Sequence, residues 1–366
     1  MDVHFNARKI KYLTMDNLLA PIIRSMPIKS VNIFINLDDI FHKLHRPLVD
    51  EEFMACGNDV DKQLIANVIN LCGHYRQNCV RHGWDTRVYA YYTNNVNGNF
   101  RNELYIKNYR RHFTDISNCR NTSYYNINRC IHDASSLMGI MSQYMKGVYI
   151  IDTQEVEPGV LPYYVTEKIH KADWNLIISK DPYDFQYVGL GRWSVLYPKG
   201  DKSLLINQES LWTSIGYLEK MDPLPPVHNF PAEYFVTAQS VIGDKYRNIP
   251  KIKRVGWKTM YGLLQKLQEE SYGLGTAQVQ ELMVPLLGGS ETAERYHQNL
   301  MVTSVYYQLK KLSEIDDTKL MSKFIDIDDQ ENLKYYSRLY FKDHPFNLGF
   351  LLDNPAEKAN RNQFGF

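Results

Sequence analysis

The sequence predicts an α/β fold in which a parallel sheet flanked by helices is followed by a helical region. Up to about residue 210, short β-rich apolar runs alternate with longer segments whose apolar residues recur at helical spacing. Beyond that point the pattern changes to helices alone. Connections of helical length between the strands indicate parallel pairing, because antiparallel neighbours need only short turns.

Four runs have the composition of buried strands. The first, VNIFINL, is a continuous β-rich run of the kind that is covered on both faces in a parallel sheet. The strands are predicted over 31–37, 87–93, 148–153 and 174–181, and the helices that join them over 65–83, 130–147 and 161–172.

The second half of the chain is predicted to be helical. A proline-rich stretch, 221–231, is the best candidate for a linker. Helices are predicted over 230–243, 256–271 and 292–315, the last long and amphipathic, and the tail from about residue 340 has little periodicity. We expect an α/β domain over 1–210, a helical region over 211–285 and a helical extension over 286–366.

Composition limits the classes of function. The 42 lysines and arginines nearly balance the 41 aspartates and glutamates, so any nucleic-acid surface must be a local basic patch. The five cysteines form no CxxC pair, and the N-terminus has no apolar run behind its basic residues. We therefore expect reduced thiols, no membrane association and a cytoplasmic protein.

Carboxylates follow three of the predicted strands. Asp38 and Asp39 follow the first strand, and Asp181 and Asp184 follow the fourth. The third is followed by Asp152, Glu155 and Glu157. Because carboxyl ends of parallel strands share one edge of a sheet, these groups are predicted to cluster, and oxygen ligands suit Mg²⁺ or Mn²⁺. The alternative is that they cap helices or lie in solvated loops.

Five blocks in order between residues 31 and 270 resemble the flap endonuclease and 5′-3′ exonuclease family, which includes the 5′ nuclease domain of bacterial DNA polymerase I. They are FINLDDIFHKLHRP, FRNELYIKNYRR, EVEPGVLPYYVTEKI, IISKDPYDFQYV and SVIGDKYRNIPKIKRVGWKTM. The last is the most specific, since it resembles GDxxDNIPGVxGIGxKTA. The resemblance implies a PIN-like sheet, a helical arch near 100–130 and a helix-hairpin-helix.

The resemblance also implies a divalent metal site, with Mg²⁺ or Mn²⁺ as one or two ions. The chain keeps carboxylates at some family positions and replaces them at others. Those kept are Asp38, Glu157, Asp181 and Asp244, with Asp184 or Asp39 as a candidate substitute for the aspartate that Tyr183 replaces. Acidic family positions are occupied instead by Gly159, Val160, Tyr183 and Arg247. The acidic site is therefore degenerate.

The hairpin block carries the predicted DNA-binding residues. In the family this hairpin presents backbone amides and a bound K⁺ to duplex phosphates, a contact that is independent of sequence. Lys251 and Arg254 replace two family glycines and add positive charge. The predicted contact residues are Lys245, Arg247, Lys251, Lys253, Arg254, Gly256 and Lys258. The alternative is a solvated helix–turn–helix with ordinary surface charge. Tyr261 to Leu267 is predicted to be the packed face of the second hairpin helix rather than part of a site.

The arch block interleaves aromatic and basic side chains. Aromatic rings can stack unpaired bases while cations follow the backbone. The resemblance places Arg101 and Arg110 on the scissile phosphate and Arg111 among the DNA contacts. An amphipathic helix with its aromatics in the core would have the same pattern.

Two functions remain open. The first is an Mg²⁺-dependent, structure-specific 5′ nuclease of phage-type DNA replication or repair, acting in the host cytoplasm on duplex DNA with a 5′ single-stranded end or flap. The second is a catalytically inactive relative that binds DNA as an accessory or structural subunit, with the C-terminal tail contacting replication proteins. A third, weaker interpretation is a structural phage protein that keeps only the fold.

Overall fold

A six-stranded sheet forms the centre of the described structure, which is a computed structural model. The residues described are 27–37, 60–92, 147–152, 158–199, 202–219, 230–244, 249–271, 274, 276–312, 321–324, 331–332 and 335. The strands are β1 (Ser30–Asn36), β2 (Asp85–Tyr92), β3 (Val148–Asp152), β4 (Trp174–Ile178), β5 (Trp193–Lys199) and β6 (Lys202–Ile206).

The strand order is β3-β2-β1-β4-β5-β6, and every neighbouring pair is parallel except β5 and β6. The predicted parallel α/β sheet is therefore confirmed. All four predicted strands are present, and β4 ends at Ile178, three residues earlier than predicted. The two strands that the sequence reading missed are β5 and β6.

Aromatic side chains line one face of the sheet because the strands are rich in tyrosine, phenylalanine and tryptophan. The ring of Tyr89 on β2 stacks on Phe34 of β1 and on Tyr149 of β3, with centroids 5.0 and 4.9 Å apart. Phe34 also stacks on Trp193 of β5. All but the first residue of β1 are buried, as its continuous β-rich run predicts.

Eight α-helices lie in the described residues. They are α1 (Val60–Val80), α2 (Leu161–Lys168), α3 (Leu211–Leu218), α4 (Tyr234–Ile242), α5 (Trp257–Glu270), α6 (Thr276–Leu287), α7 (Ser290–Thr303) and α8 (Val305–Leu312). Short 3₁₀ turns cover Pro158–Val160 and Ser322–Phe324, and a longer 3₁₀ segment covers Pro182–Leu190. The predicted helix 292–315 is wrong as one element, because Ser304 has extended backbone (φ −76°, ψ 121°) and separates α7 from α8.

One hydrophobic core joins the sheet to the helices that follow it. It runs from Phe34 and Trp193 on the strands, through Phe185 of the 3₁₀ segment, to Leu264 of α5 and Leu300 of α7. Tyr261, Leu264 and Leu267 are buried, which confirms the packed face predicted for α5. Among the described helices, none combines the length and apolar character needed to cross a bilayer.

Some predicted elements lie outside the described residues. These are the arch near 100–130, almost all of the helix over 130–147, nearly all of the linker over 221–231 and the tail from about residue 340.

Candidate functional site

A crevice is expected at the carboxyl edge of the sheet between β1 and β4, because the strand order reverses direction there. The chain runs from β1 outward through β2 to β3, then returns to the other side of β1 as β4. Ligands of open α/β sheets bind beyond the carboxyl ends of the strands at such a reversal. The segments that follow β1 and β4 therefore flank the expected site.

Of the predicted carboxylates after β1 and β3, Asp152 ends β3 and the others lie outside the described residues. Those others are Asp38, Asp39, Glu155 and Glu157. Within the part of the chain that the structure describes, no group of three or more His, Cys, Asp or Glu side chains is placed to hold a metal ion.

Asp181 lies directly beyond β4 and caps the 3₁₀ segment. Its Oδ1 accepts a hydrogen bond from the backbone N–H of Tyr183 at 2.9 Å, and its own N–H donates to Oγ of Ser179 at 3.0 Å. Asp181 therefore has the capping role that the sequence analysis gave as the alternative to metal binding. A carboxylate has two oxygens, so capping through one does not prevent the other from binding a cation.

Asp184 lies one turn further along the 3₁₀ segment, and its side chain has no exposed surface. Its backbone N–H donates to the carbonyl of Asp181 at 3.1 Å. A carboxylate removed from bulk water requires compensating partners, because its hydration is lost.

Two positions at which the sequence resemblance implies carboxylates, 159 and 183, are occupied by residues that contact each other. A Cβ added to Gly159 would lie 2.6 Å from Cε1 of Tyr183, so only glycine fits against this ring. The Tyr183 hydroxyl accepts a hydrogen bond from Nε2 of Gln308 at 3.0 Å, and the Tyr187 hydroxyl donates to the Gly159 carbonyl at 2.7 Å. Val160, at a third acidic position, is fully buried. These positions provide packing rather than metal ligands.

The loop 243–256 joins α4 to α5, and its described parts, 243–244 and 249–256, are held together by backbone hydrogen bonds. Asp244 and Ile249 exchange two backbone hydrogen bonds of 2.9 and 2.8 Å, and the N–H of Ile252 donates to Val241 on α4. A Cβ on Gly243, which has φ +75°, would lie 2.6 Å from the Ile249 carbonyl oxygen and 2.7 Å from the Lys251 nitrogen. Glycine is therefore required where the loop leaves α4. Asp244, predicted as a metal ligand, is partly buried within this closure.

Arg254 has φ +66°, the one positive φ that a non-glycine residue has within the described residues. The sequence resemblance implies glycine at this position, and a left-handed backbone of this kind is the conformation that glycine adopts most readily. An L-residue in this conformation loses about 1–2 kcal/mol to contact between its Cβ and the carbonyl oxygen.

Four predicted DNA-binding side chains are exposed on one short stretch. They are Lys251, Lys253, Arg254 and Lys258. The stretch leads into α5, whose N-cap is Gly256, with extended backbone and no side-chain cap. The free N–H groups and the dipole at such a helix start favour anions. Lys245 and Arg247 lie outside the described residues, as do Arg101, Arg110 and Arg111.

A buried asparagine fixes this loop to the rest of the fold, and the sequence reading missed it. Nδ2 of Asn299, on α7, donates to the carbonyls of Ser240 on α4 and Pro250 in the loop, at 2.8 and 2.7 Å. Gln239 on α4 also holds the loop, since its Nε2 donates a hydrogen bond to the Gly243 carbonyl at 2.8 Å. A polar residue within the apolar stripe of an amphipathic helix is the signal that could have found Asn299.

Glu219, which follows α3, lies next to Trp257 at the start of α5. Burial raises the pKa of Glu219, and a hydrogen bond from the Trp257 side chain partly opposes that rise. Burial, with the nearby Glu219 charge, raises the pKa of Tyr261 to about 12. Tyr261 therefore carries no charge near pH 7, and the positive charge at this end of α5 comes from Lys258.

Similar folds are found among solved structures of a bacteriophage T5 protein. The T5 flap endonuclease, in a pseudo-enzyme-product complex with DNA and metal ions, matches with a TM-score of 0.53 and 12% identity, over 84% of this chain and 99% of that chain. The T5 protein co-crystallised with metal ions matches with a TM-score of 0.52 and 13% identity, over 85% and 98%. No protein-family model and no curated protein sequence matches. The chain has the 5′ nuclease fold, as predicted.

Proposed function

We propose that this chain binds duplex DNA that has a 5′ single-stranded end or flap, through the loop 243–256 and the start of α5. The observation that carries the proposal is the group of four exposed cations around an uncapped helix N-terminus. Backbone N–H groups and lysine or arginine side chains are the donors that proteins use for DNA phosphates. The T5 flap endonuclease of the same fold is described in complex with DNA.

Rigidity supports the same assignment. Phosphates of a duplex are regularly spaced, so a surface that holds its donors in place loses less entropy on binding. The loop is closed by the Asp244–Ile249 pair and is tied to two helices by Gln239 and Asn299. Contacts of this kind read no base edge, so we expect recognition of DNA structure rather than sequence.

Binding to a 5′-flap duplex in EDTA, followed by fluorescence anisotropy, tests the proposal. The double variant Lys251→Glu, Arg254→Glu is expected to bind at least about tenfold more weakly and to show a flatter salt dependence. Lys266→Glu is the control for charge reversal, because Lys266 is exposed on α5 more than two turns beyond Lys258. Equal affinity of the double variant and the wild type would refute the proposal.

Hydrolysis of a phosphodiester at a 5′ end with Mg²⁺ or Mn²⁺ is the second candidate function. The position of Asp181 at the β1–β4 crevice favours it. By resemblance, Asp38, Glu157, Asp181 and Asp244 would hold the metal, and Arg101 and Arg110 would contact the scissile phosphate. The described residues do not fit a full two-ion ligand set, since Gly159 and Tyr183 occupy two of its acidic positions.

Cleavage of a labelled 5′-flap duplex with Mg²⁺ or Mn²⁺ separates the two candidates. An active nuclease is expected to lose its cleavage in the double variant Asp38→Ala, Asp181→Ala while still binding the flap. If neither protein cleaves and both bind equally well, the chain is the DNA-binding accessory protein of the second sequence-based hypothesis.

A further inference from the structure

The contact between Gly159 and Tyr183 unites two positions at which the family has carboxylates. One lies on the 3₁₀ turn after β3, and the other on the 3₁₀ segment after β4. The space that a side chain at position 159 would enter is filled by ring carbons of Tyr183, at 2.6 and 2.9 Å from an added Cβ. A carboxylate at position 159 is therefore unfavourable while Tyr183 is present, because a side chain at 159 collides with the ring.

The ring cannot easily move aside, because hydrogen bonds hold its segment on several sides. Gln308 of α8 donates to the Tyr183 hydroxyl at 3.0 Å and to the Val302 carbonyl at 2.7 Å. Gln186 donates to the Tyr183 carbonyl at 3.0 Å and accepts from the Val305 N–H at 2.8 Å. All of these groups are buried, so water does not compete for them.

Gly159 and Tyr183, with Gln186 and Gln308 that hold the ring in place, form a packed wall. We infer that this wall has replaced the part of the pocket that would hold a second divalent cation, so that the chain binds at most one Mn²⁺ or Mg²⁺ at the carboxyl edge of the sheet. Two divalent ions about 3.5–4 Å apart repel each other and require several shared carboxylates. Glycine and a neutral tyrosine provide no negative charge at their positions. The inference concerns the site of the second candidate function and does not depend on DNA binding.

Mn²⁺ stoichiometry, measured on the full chain without DNA by electron paramagnetic resonance and calorimetry, tests the inference. One strongly bound Mn²⁺ per chain, or none, is the expected result for the wild type. Tyr183→Phe is the control, because it keeps the ring and is expected to leave that number unchanged. Two strongly bound Mn²⁺ ions in the wild type would overturn the inference.

A double-mutant cycle tests the wall itself by thermal unfolding. Gly159→Ala is expected to lower the melting temperature of the wild type clearly, but to have little effect in a Tyr183→Ala background, where the ring is absent. An equal effect in both backgrounds would show that the ring does not fill this space and would also overturn the inference.

Flap binding in EDTA keeps this result separate from the proposed function. If the chain binds at most one Mn²⁺ but does not bind the flap, the DNA-binding proposal fails and the wall stands. If it binds the flap and also two Mn²⁺ ions, only the inference about the wall fails.

Discussion

Gly243 is the residue on which the closure of the loop depends most directly. Its positive φ and the 2.6 Å approach of an added Cβ to the Ile249 carbonyl make any side chain unfavourable. We expect Gly243→Ala to lower the free energy of unfolding by about 2–3 kcal/mol, measured by urea denaturation.

Gly262 provides the matched control for this substitution. It lies in the exposed part of α5, and an added Cβ would meet no atom within 4 Å. Gly262→Ala is expected to raise the free energy of unfolding by about 0.5–1 kcal/mol, because alanine favours the helix. Similar effects of the two substitutions would contradict the special role of Gly243.

Arg254 combines strain with positive charge, so one substitution should move stability and binding in opposite directions. Arg254→Gly is expected to raise the free energy of unfolding by up to about 1 kcal/mol, since glycine adopts φ +66° freely. The same variant should bind duplex DNA more weakly and reduce the salt slope by about one unit. Lys253→Gly, at a position without positive φ, should lower both stability and affinity.

At the scale of elements, Asn299 connects α7, α4 and the loop. Replacing it with leucine leaves the Ser240 and Pro250 carbonyls without their donor, and we expect a loss of about 2–5 kcal/mol in the free energy of unfolding. Asn299→Asp is the sharper variant, because an ionised carboxylate repels both carbonyls whereas a protonated one donates to either. Its melting temperature relative to wild type should therefore recover as pH falls; no recovery would argue against the double donation.

Asp173 aligns the amino ends of β1 and β4. The backbone N–H groups of Lys29 and Ser30 hold its pKa below the usual value, and the hydroxyl of Ser30 and the charge of Arg192 contribute. A lowered pKa in the folded state means that the carboxylate stabilises the fold above its ordinary pKa and loses that effect as pH falls through the lowered value.

The expected consequence is a pH-dependent difference between wild type and Asp173→Asn. Their melting temperatures should differ most near neutral pH and converge below about pH 4. Asp85→Asn, which alters a surface carboxylate paired with Arg87, serves as the control. A difference that stays constant down to low pH would contradict the role of the charge.

The sequence predicted the four parallel strands because their composition is unambiguous, but it failed where tertiary contacts decide. Pro198 made β5 unlike a strand, yet it lies beyond the part of β5 that pairs with β4 and needs no donor there. The break at Ser304 is equally invisible to periodicity. It arises because the Val305 N–H bonds to Gln186, a residue 119 positions away.

The candidate site, like the fold, could be predicted from the sequence only in part. Asp181 and the basic stretch around Arg254 could be predicted, because strand ends and a specific motif are local properties of the sequence. Two other features could not be predicted, because each joins segments that are distant in the chain. They are the contact of the Tyr183 ring with Gly159 and the hydrogen bond from Asn299 to the Pro250 carbonyl.

At the scale of the whole molecule, a net charge of +1 means that long-range attraction to DNA is weak and that binding depends on local contacts. The four exposed cations of the loop and α5 then set the salt dependence. If each neutralises one phosphate, the slope of log affinity against log salt should be about −3.6. Anisotropy titrations of a flap duplex at several NaCl concentrations measure it. A much steeper slope that survives Lys251→Glu, Arg254→Glu would place the main DNA contacts elsewhere on the protein.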